Sequence, residues 1–269
     1  EFYEADYPIP ENWEEMLALS ERMVVDGRTP WCIGFESGDA TGWVGTDWNE
    51  DVMLRNAPLE VYDAWVIGDM PFNSPEVRRA FEISAQIWFN DAFVHGGRDA
   101  ILNTFFIDAL YPMFDNPPGC WLSKQGSFTP SLVPEGNIQG EDYDFFYLPP
   151  IDPAFGRPIL GAGDIVGVFD DRPEVRELVY YLTSPEAAQR LIEPGRFISP
   201  LNEVDLDWYP SEADRRYAEL LYSTDSFRFD ASDQMPVEVY EAFWAGIMDF
   251  VSGADLDQVL SNIDAAWPR

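Results

Sequence analysis

Lysine and histidine are almost absent: Lys124 and His95 each stand alone in 269 residues, and lysine and arginine together number only 16. Phosphate backbones are bound by clustered Lys and Arg, so a nucleic acid partner is excluded. One imidazole provides no second ligand for a histidine metal site and no proton relay; His95, in VHGGRD, reads as a capping or solvent-facing side chain. Cysteine is equally sparse. Cys32 and Cys120 fit neither a zinc cluster nor a CxxC redox pair, which leaves two options, buried free thiols or one long-range disulfide. No apolar run reaches the roughly 18 residues of a membrane span. GxSxG, HExxH and phosphate-loop patterns are missing too, so no catalytic residue, metal or cofactor is implied.

What the chain has is acid and aromatic surface. It carries 49 Asp and Glu residues for a formal net charge of -33, with 46% hydrophobic and 15% aromatic content. That composition suits one large or two modest globular domains, each with its own core. The charge reads first as a solvated surface that keeps the protein soluble. Two acidic chemistries stay open on composition alone. A glycoside hydrolase needs only a suitably spaced carboxylate pair, and Asp205 with Asp207 could face calcium, although no EF-hand loop is present.

Helix signals are clear. Asn12 and Glu15 form a capping-box pattern ahead of a helix over 12–26, with Trp13, Met16, Leu17, Ser20 and Val24 on one face and Gly27 as its stop. Ser74-Pro75 opens a second helix, with Val77, Phe81, Ser84, Ala85 and Trp88 on its stripe. A third follows Asp171 and Pro173, a fourth Ser184-Pro185, and Asp255 with Gln258 caps the last. Strand-like runs at 31–35, 120–123, 145–148 and 165–169 lie between them, and the mixture indicates an α/β protein.

Pyranose sugars present hydroxyls at the rim and C–H groups on the faces, so their sites combine flat aromatics with carboxylates and guanidinium groups. Trp43, Asp47 and Trp48 offer this mixture within six residues. The competing reading is a helix beginning near Thr46, capped by Asp47, with Trp48 in the core. Gly161-Ala162-Gly163-Asp164 precedes a strand-like run, where small residues let a ligand approach the backbone; because the strand follows the glycines, it is not a dinucleotide fingerprint. Arg228, Asp230 and Asp233 again pair a planar donor with carboxylates, or else form a surface ion-pair cluster.

The run TPWCIGFESGDATGWVGTDWNEDVMLR, from Thr29 to Arg55, resembles the segment that marks α-glucoside-type members of the family-one extracellular solute-binding proteins of ABC transporters. The resemblance continues in order through GGRDAIL, MFDNPPGCWLSKQGSF, EDYDFFYLPPID, LGAGDIVGVFDDRPEVREL, FISP, FRFDASDQMP and FVSGADLDQVL. It implies a type II periplasmic-binding-protein-like α/β fold, like maltose-binding proteins, whose two lobes close on an oligosaccharide.

Family members begin with a signal peptide and most of a first lobe, whereas YEADYPIPENWEEML is similar to the crossing into the second. The resemblance therefore implies mainly the second lobe over 1–150, a remnant of the first with hinge strands over 151–200, and a helical part packing across the lobes over 201–269. A truncated chain, a proteolytic fragment or a first lobe supplied by another chain would each account for this. By motif position the ligand-binding candidates are Trp43, Asp47, Trp48, Trp121, Gln125, Gly161, Gly163, Asp164, Arg228, Asp230 and Asp233. The implied partners are an α-glucoside or short oligosaccharide and ABC permease subunits, at a periplasmic or extracellular, membrane-associated location.

Overall fold

The computed structural model describes residues 2, 5–195, 197–202 and 204–268. In chain order the helices are α1 (Trp13–Val25), α2 (Trp43–Asn56), α3 (Leu59–Val66), α4 (Pro75–Trp88) and α5 (Arg98–Asn103), followed by strand β1 (Pro158–Gly161). Then come α6 (Pro173–Leu182), α7 (Pro185–Ile192), α8 (Glu212–Ser223), strand β2 (Ser226–Phe229), α9 (Val237–Ser252) and α10 (Leu256–Asp264). The chain divides into two compact units: Glu1–Gln125, Leu148–Gly161 and Asp225–Arg269 form one, Gly126–Tyr147 and Ala162–Thr224 the other. The crossings between them fall after 125, 147, 161 and 224. None of the helices among the described residues is long and apolar enough to cross a membrane.

The first unit is organised by aromatic packing between α2, α3, α4 and α9. Trp65 lies edge-on to Tyr62, Phe72 and Phe243 at 5.7, 5.2 and 5.8 Å, and Trp48 sits between Trp31 and Trp88 at 5.4 and 5.9 Å. These rings are fully buried. Edge-to-face contact adds to their area burial because the positive ring edge meets the negative face. β1 and β2 run parallel, in register from Pro158–Ser226 to Gly161–Phe229. A parallel pair cannot be joined by a hairpin, and here the connection includes residues of the second unit.

The second unit holds α6, α7 and α8; its core is Ala188, Ile192, Tyr209 and Ala218, with Phe197, Trp208 and Tyr222 packed against them, and α6 buries no residue. Phe145 stacks on Tyr217 at 3.8 Å, and the Arg216 guanidinium lies 4.4 Å over the Phe145 ring.

The capping signals fold as expected. Asn12, Ser74, Ser184 and Asp255 each accept a backbone N–H three residues on. On α1 the buried face is Trp13, Met16, Leu19, Ser20 and Met23, with Leu17 and Val24 only partly covered. That rotation follows from Met23, not Val24, completing the i, i+3, i+7 stripe begun at Met16. The strand readings fare less well. Residues 31–35 and 120–123 are hydrogen-bonded but form only single bridges, Trp31 to Val94 and to Leu122, because their backbone partners change from residue to residue.

Residues 145–148 and 165–169 are not strands. Ile165, Val166, Val168 and Phe169 are exposed, and an extended run with no neighbour to bond is not a strand. Strand β1 precedes the Gly161-Gly163 turn instead of following it. The helix expected near Thr46 starts three residues earlier at Trp43, so Asp47 lies inside it and does not cap it. His95 precedes α5, with Nδ1 3.1 Å from the Gly119 carbonyl.

Cys32 and Cys120 are joined in a disulfide, with Cα atoms 5.5 Å apart and both residues buried. Beside it the Cys32 N–H donates to the Leu122 carbonyl at 2.8 Å. The bond closes a sequence separation of 88 residues. Chain-entropy arguments for a loop of that order give about 4 kcal/mol. Reducing the protein, or replacing both cysteines with serine, is expected to lower the unfolding free energy by about that amount. Denaturant titration with and without reductant checks this; coincident curves would refute it.

Candidate functional site

The site is built on α2. Gly42 precedes the helix with φ +109, and a Cβ there would lie 2.4 Å from the Trp244 carbonyl oxygen, so glycine is required both by conformation and by the approach of α9. Trp43 follows, half-buried and edge-on to Phe106 at 5.2 Å. One turn on, Asp47 shares a helix face with Glu50 and Asp51, at spacings of three and four residues.

Asp230 meets these carboxylates from the segment after β2. Its backbone N–H donates to the Gly161 carbonyl at 2.9 Å, which ties the turn after β2 to the end of β1. Oδ1 of Asp230 accepts from Ser232 Oγ at 2.8 Å and from the Asp233 N–H at 3.1 Å. Fully buried Glu50 accepts the Ala231 N–H at 2.7 Å and the Ser232 N–H at 3.2 Å, one on each oxygen. Asp230 also lies close enough to Asp47 and Glu50 for its charge to act on both. Like charges gathered this closely in a buried place disfavour ionisation of Asp47 and Glu50.

Two cations offset this charge. Lys124 Nζ donates to the Asp47 carbonyl at 2.9 Å and lies 3.4 Å from Asp51 Oδ2; its side chain is 12% exposed. Arg55 pairs with Asp51 and also donates to the Leu148 and Pro158 carbonyls at 3.2 Å each. Burial pushes the Asp47 carboxyl well above its ordinary range; the Lys124 charge opposes that shift and Asp230 adds to it. Glu50 is raised for the same first reason, then by Asp230 and Asp47. The Tyr62 hydroxyl, bonded to the Phe229 carbonyl at 2.9 Å, is raised by burial and by the same carboxylates.

Other candidates divide around this cluster. Gln125 and Lys124 line a small cavity of about 10 Å³ with Ser123, Val44 and Phe106. Asp233 is exposed beside Asp230. Gly161 supplies the carbonyl that Asp230 uses. Trp48 is a core residue, 1% exposed, so its competing reading is the correct one. Trp121 packs on Tyr7 at 6.2 Å with the Arg28 guanidinium 4.5 Å from its ring, in a contact set that the carboxylates do not share.

Arg228 forms a bidentate pair with Asp63, at 2.5 and 2.9 Å, and so behaves as the surface ion-pair reading has it. Gly163 and Asp164 are exposed in the second unit. Asp205 accepts the Asp207 N–H as a local turn, and no group of carboxylates among the described residues is arranged to hold a metal ion.

Sequence reading missed Glu50, Lys124 and Phe106, together with Tyr240 and Trp244, whose rings lie 4.6 Å apart on the helix that meets Gly42. The signals were present. Glu50 stands one helical turn from Asp47, and Lys124 is the only lysine.

No family model matches the chain. Its described backbone superposes on the bacterial solute receptor AcbH, described as having an exclusive preference for b-D-galactopyranose, with a TM-score of 0.79 at 17% identity over 98% of this chain and 66% of that one. The fold is thus of the type II periplasmic-binding-protein class. Two relatives are nearer in sequence. The osmoprotective compounds-binding protein GgtB of Synechocystis sp. is 45% identical over 100% of this chain and 64% of its own length. The alpha-glucosides-binding periplasmic protein AglE of Rhizobium meliloti is 42% identical over 99% of this chain and 59% of its own. The chain is thus similar to two binding proteins and spans about three fifths of their length.

The raised carboxyl pKa values give a pH signature. Asp47 and Glu50 have raised native pKa values, so between the ordinary carboxylate range and those values the native state binds more protons than the unfolded chain. Their contribution to stability is full below the ordinary range and is lost as pH rises through the native values. Asp230→Asn keeps the acceptor for Ser232 and Asp233 and offers a permanent N–H to the neighbouring carboxylates. The wild-type Tm is expected to fall from pH 5 to pH 8 more steeply than that of Asp230→Asn, measured by thermal unfolding in parallel buffers; parallel curves would contradict this.

Proposed function

We propose that the chain binds a neutral carbohydrate, an α-glucoside of two or a few units, as the receptor part of an ABC importer. The observation that carries this reading is the cluster of Asp47, Glu50 and Asp230, braced by backbone N–H groups and Lys124, with the half-buried Trp43 four residues from Asp47 on the same helix. Carboxylates oriented by other bonds accept sugar hydroxyls in a fixed geometry, and an aromatic face covers sugar C–H groups. The names of the two relatives support the ligand class, one an α-glucoside binder and the other a binder of osmoprotective compounds. The partner on delivery is then a membrane permease, and the location is periplasmic or extracellular and membrane-associated.

The unit containing α2 is assigned as the second lobe, and the unit containing α6 to α8 as part of the first. Ile165, Val166 and Phe169, with Leu178 and Tyr180 of α6, expose apolar surface that suits cover by further first-lobe polypeptide, supplied by the same or another chain. Hydrolysis is the weaker reading. Both relatives are named as binding proteins, and the sequence holds no GxSxG, HExxH or phosphate-loop pattern.

Calorimetric titration with maltose, trehalose and sucrose, paired with a product assay, tests the proposal. Saturable heat without product is expected, and Asp47→Ala should weaken binding about tenfold through loss of a side-chain hydrogen bond. Product formation, or no heat with any α-glucoside, would overturn the proposal.

A further inference from the structure

We propose that Lys124 is a ligand-contacting residue, which donates an ammonium hydrogen to one hydroxyl of the sugar while Asp47 accepts from the neighbouring hydroxyl of the same vicinal pair. The inference rests on the carbohydrate reading above and identifies the donor that such a site needs. An ammonium group has three hydrogens. One donates to the Asp47 carbonyl at 2.9 Å, Asp51 Oδ2 lies 3.4 Å away as an ion-pair partner, and no other acceptor for the ammonium group is found among the described residues.

The side chain is only 12% exposed, so the ammonium group is largely withheld from bulk solvent, at a considerable desolvation cost. Burial of this kind is tolerable because Asp51 and the Asp47 carbonyl hold the head group, while the stem runs along the small cavity shared with Ser123 and Gln125. The Lys124 charge partly opposes the burial that raises the Asp47 carboxyl. Donor and acceptor thus sit side by side, and vicinal hydroxyls of a pyranose offer the complementary pair. Elsewhere the chain uses arginine for its cations. A planar guanidinium in this place would project a fork rather than a single point donor.

Because Lys124 is the only lysine, protein grown on ¹⁵N-lysine carries one labelled side-chain ammonium. Titrating maltose into the full chain is expected to shift that single resonance, with a midpoint equal to the calorimetric Kd. Lys124→Met should weaken maltose binding at least about tenfold, the loss of a charged hydrogen bond, and Lys124→Arg should recover part of that loss. If calorimetry detects binding while the resonance stays unmoved at saturation, or if Lys124→Met binds as wild type does, the assignment is wrong. If no α-glucoside binds the wild-type chain, the carbohydrate reading itself fails and this inference falls with it.

Discussion

The convergence of Asp47, Glu50 and Asp230, held by backbone N–H groups, is the constraint on which the arrangement of the first unit depends. Three carboxyl groups drawn from a helix and from the turn after a strand would repel one another if all were ionised. They are held together because Glu50 accepts two backbone N–H groups and Asp230 accepts a hydroxyl and an N–H, while burial disfavours ionisation of Asp47 and Glu50. The surrounding elements are placed by those bonds. Through Glu50 the segment 231–232 is pinned to α2, and through the Asp230 N–H it is pinned to the end of β1. Buried charge is costly unless paired and hydrogen-bonded, and such a cluster is seldom kept for stability alone.

The disulfide and the aromatic core supply what the cluster costs. Cys32–Cys120 fixes the chain four residues before Lys124, so the ammonium group reaches Asp47 and Asp51 from a tethered backbone. Trp48, one residue after Asp47, is locked between Trp31 and Trp88, which sets the rotation of α2 and turns Asp47, Glu50 and Asp51 toward Asp230 and Lys124. A single helix therefore serves core and site on adjacent residues. This explains why α2 has no clear amphipathic stripe and buries polar and apolar side chains alike.

Helix starts were legible in the sequence because capping is local: Asn12, Ser74, Ser184 and Asp255 need only the next three residues to act. Strands were not, since pairing depends on distant partners. The apolar run 165–169 has none among the described residues, while the less obvious 158–161 and 226–229 found each other across more than sixty positions. In the candidate site, Asp47 and Asp230 were readable as sugar-type chemistry, and the structure brings them together. Trp48, Trp121 and Arg228 carried the same chemistry yet are occupied by the core, by Tyr7 with Arg28, and by Asp63. Residue type alone cannot separate a stacking platform from a packing residue. Glu50 escaped notice because its function depends on the backbone of 231–232, a relation of no local spacing.

The central claim is that the face formed by the start of α2, the Ser123–Gln125 segment and the turn after β2 binds the sugar. Backbone amide chemical shifts recorded during a maltose titration test it most directly. The account predicts saturable shifts concentrated at residues 43–47, 123–125 and 230–233, with one common midpoint. Shifts confined to other parts of the chain, such as 91–99 or 163–164, would contradict it.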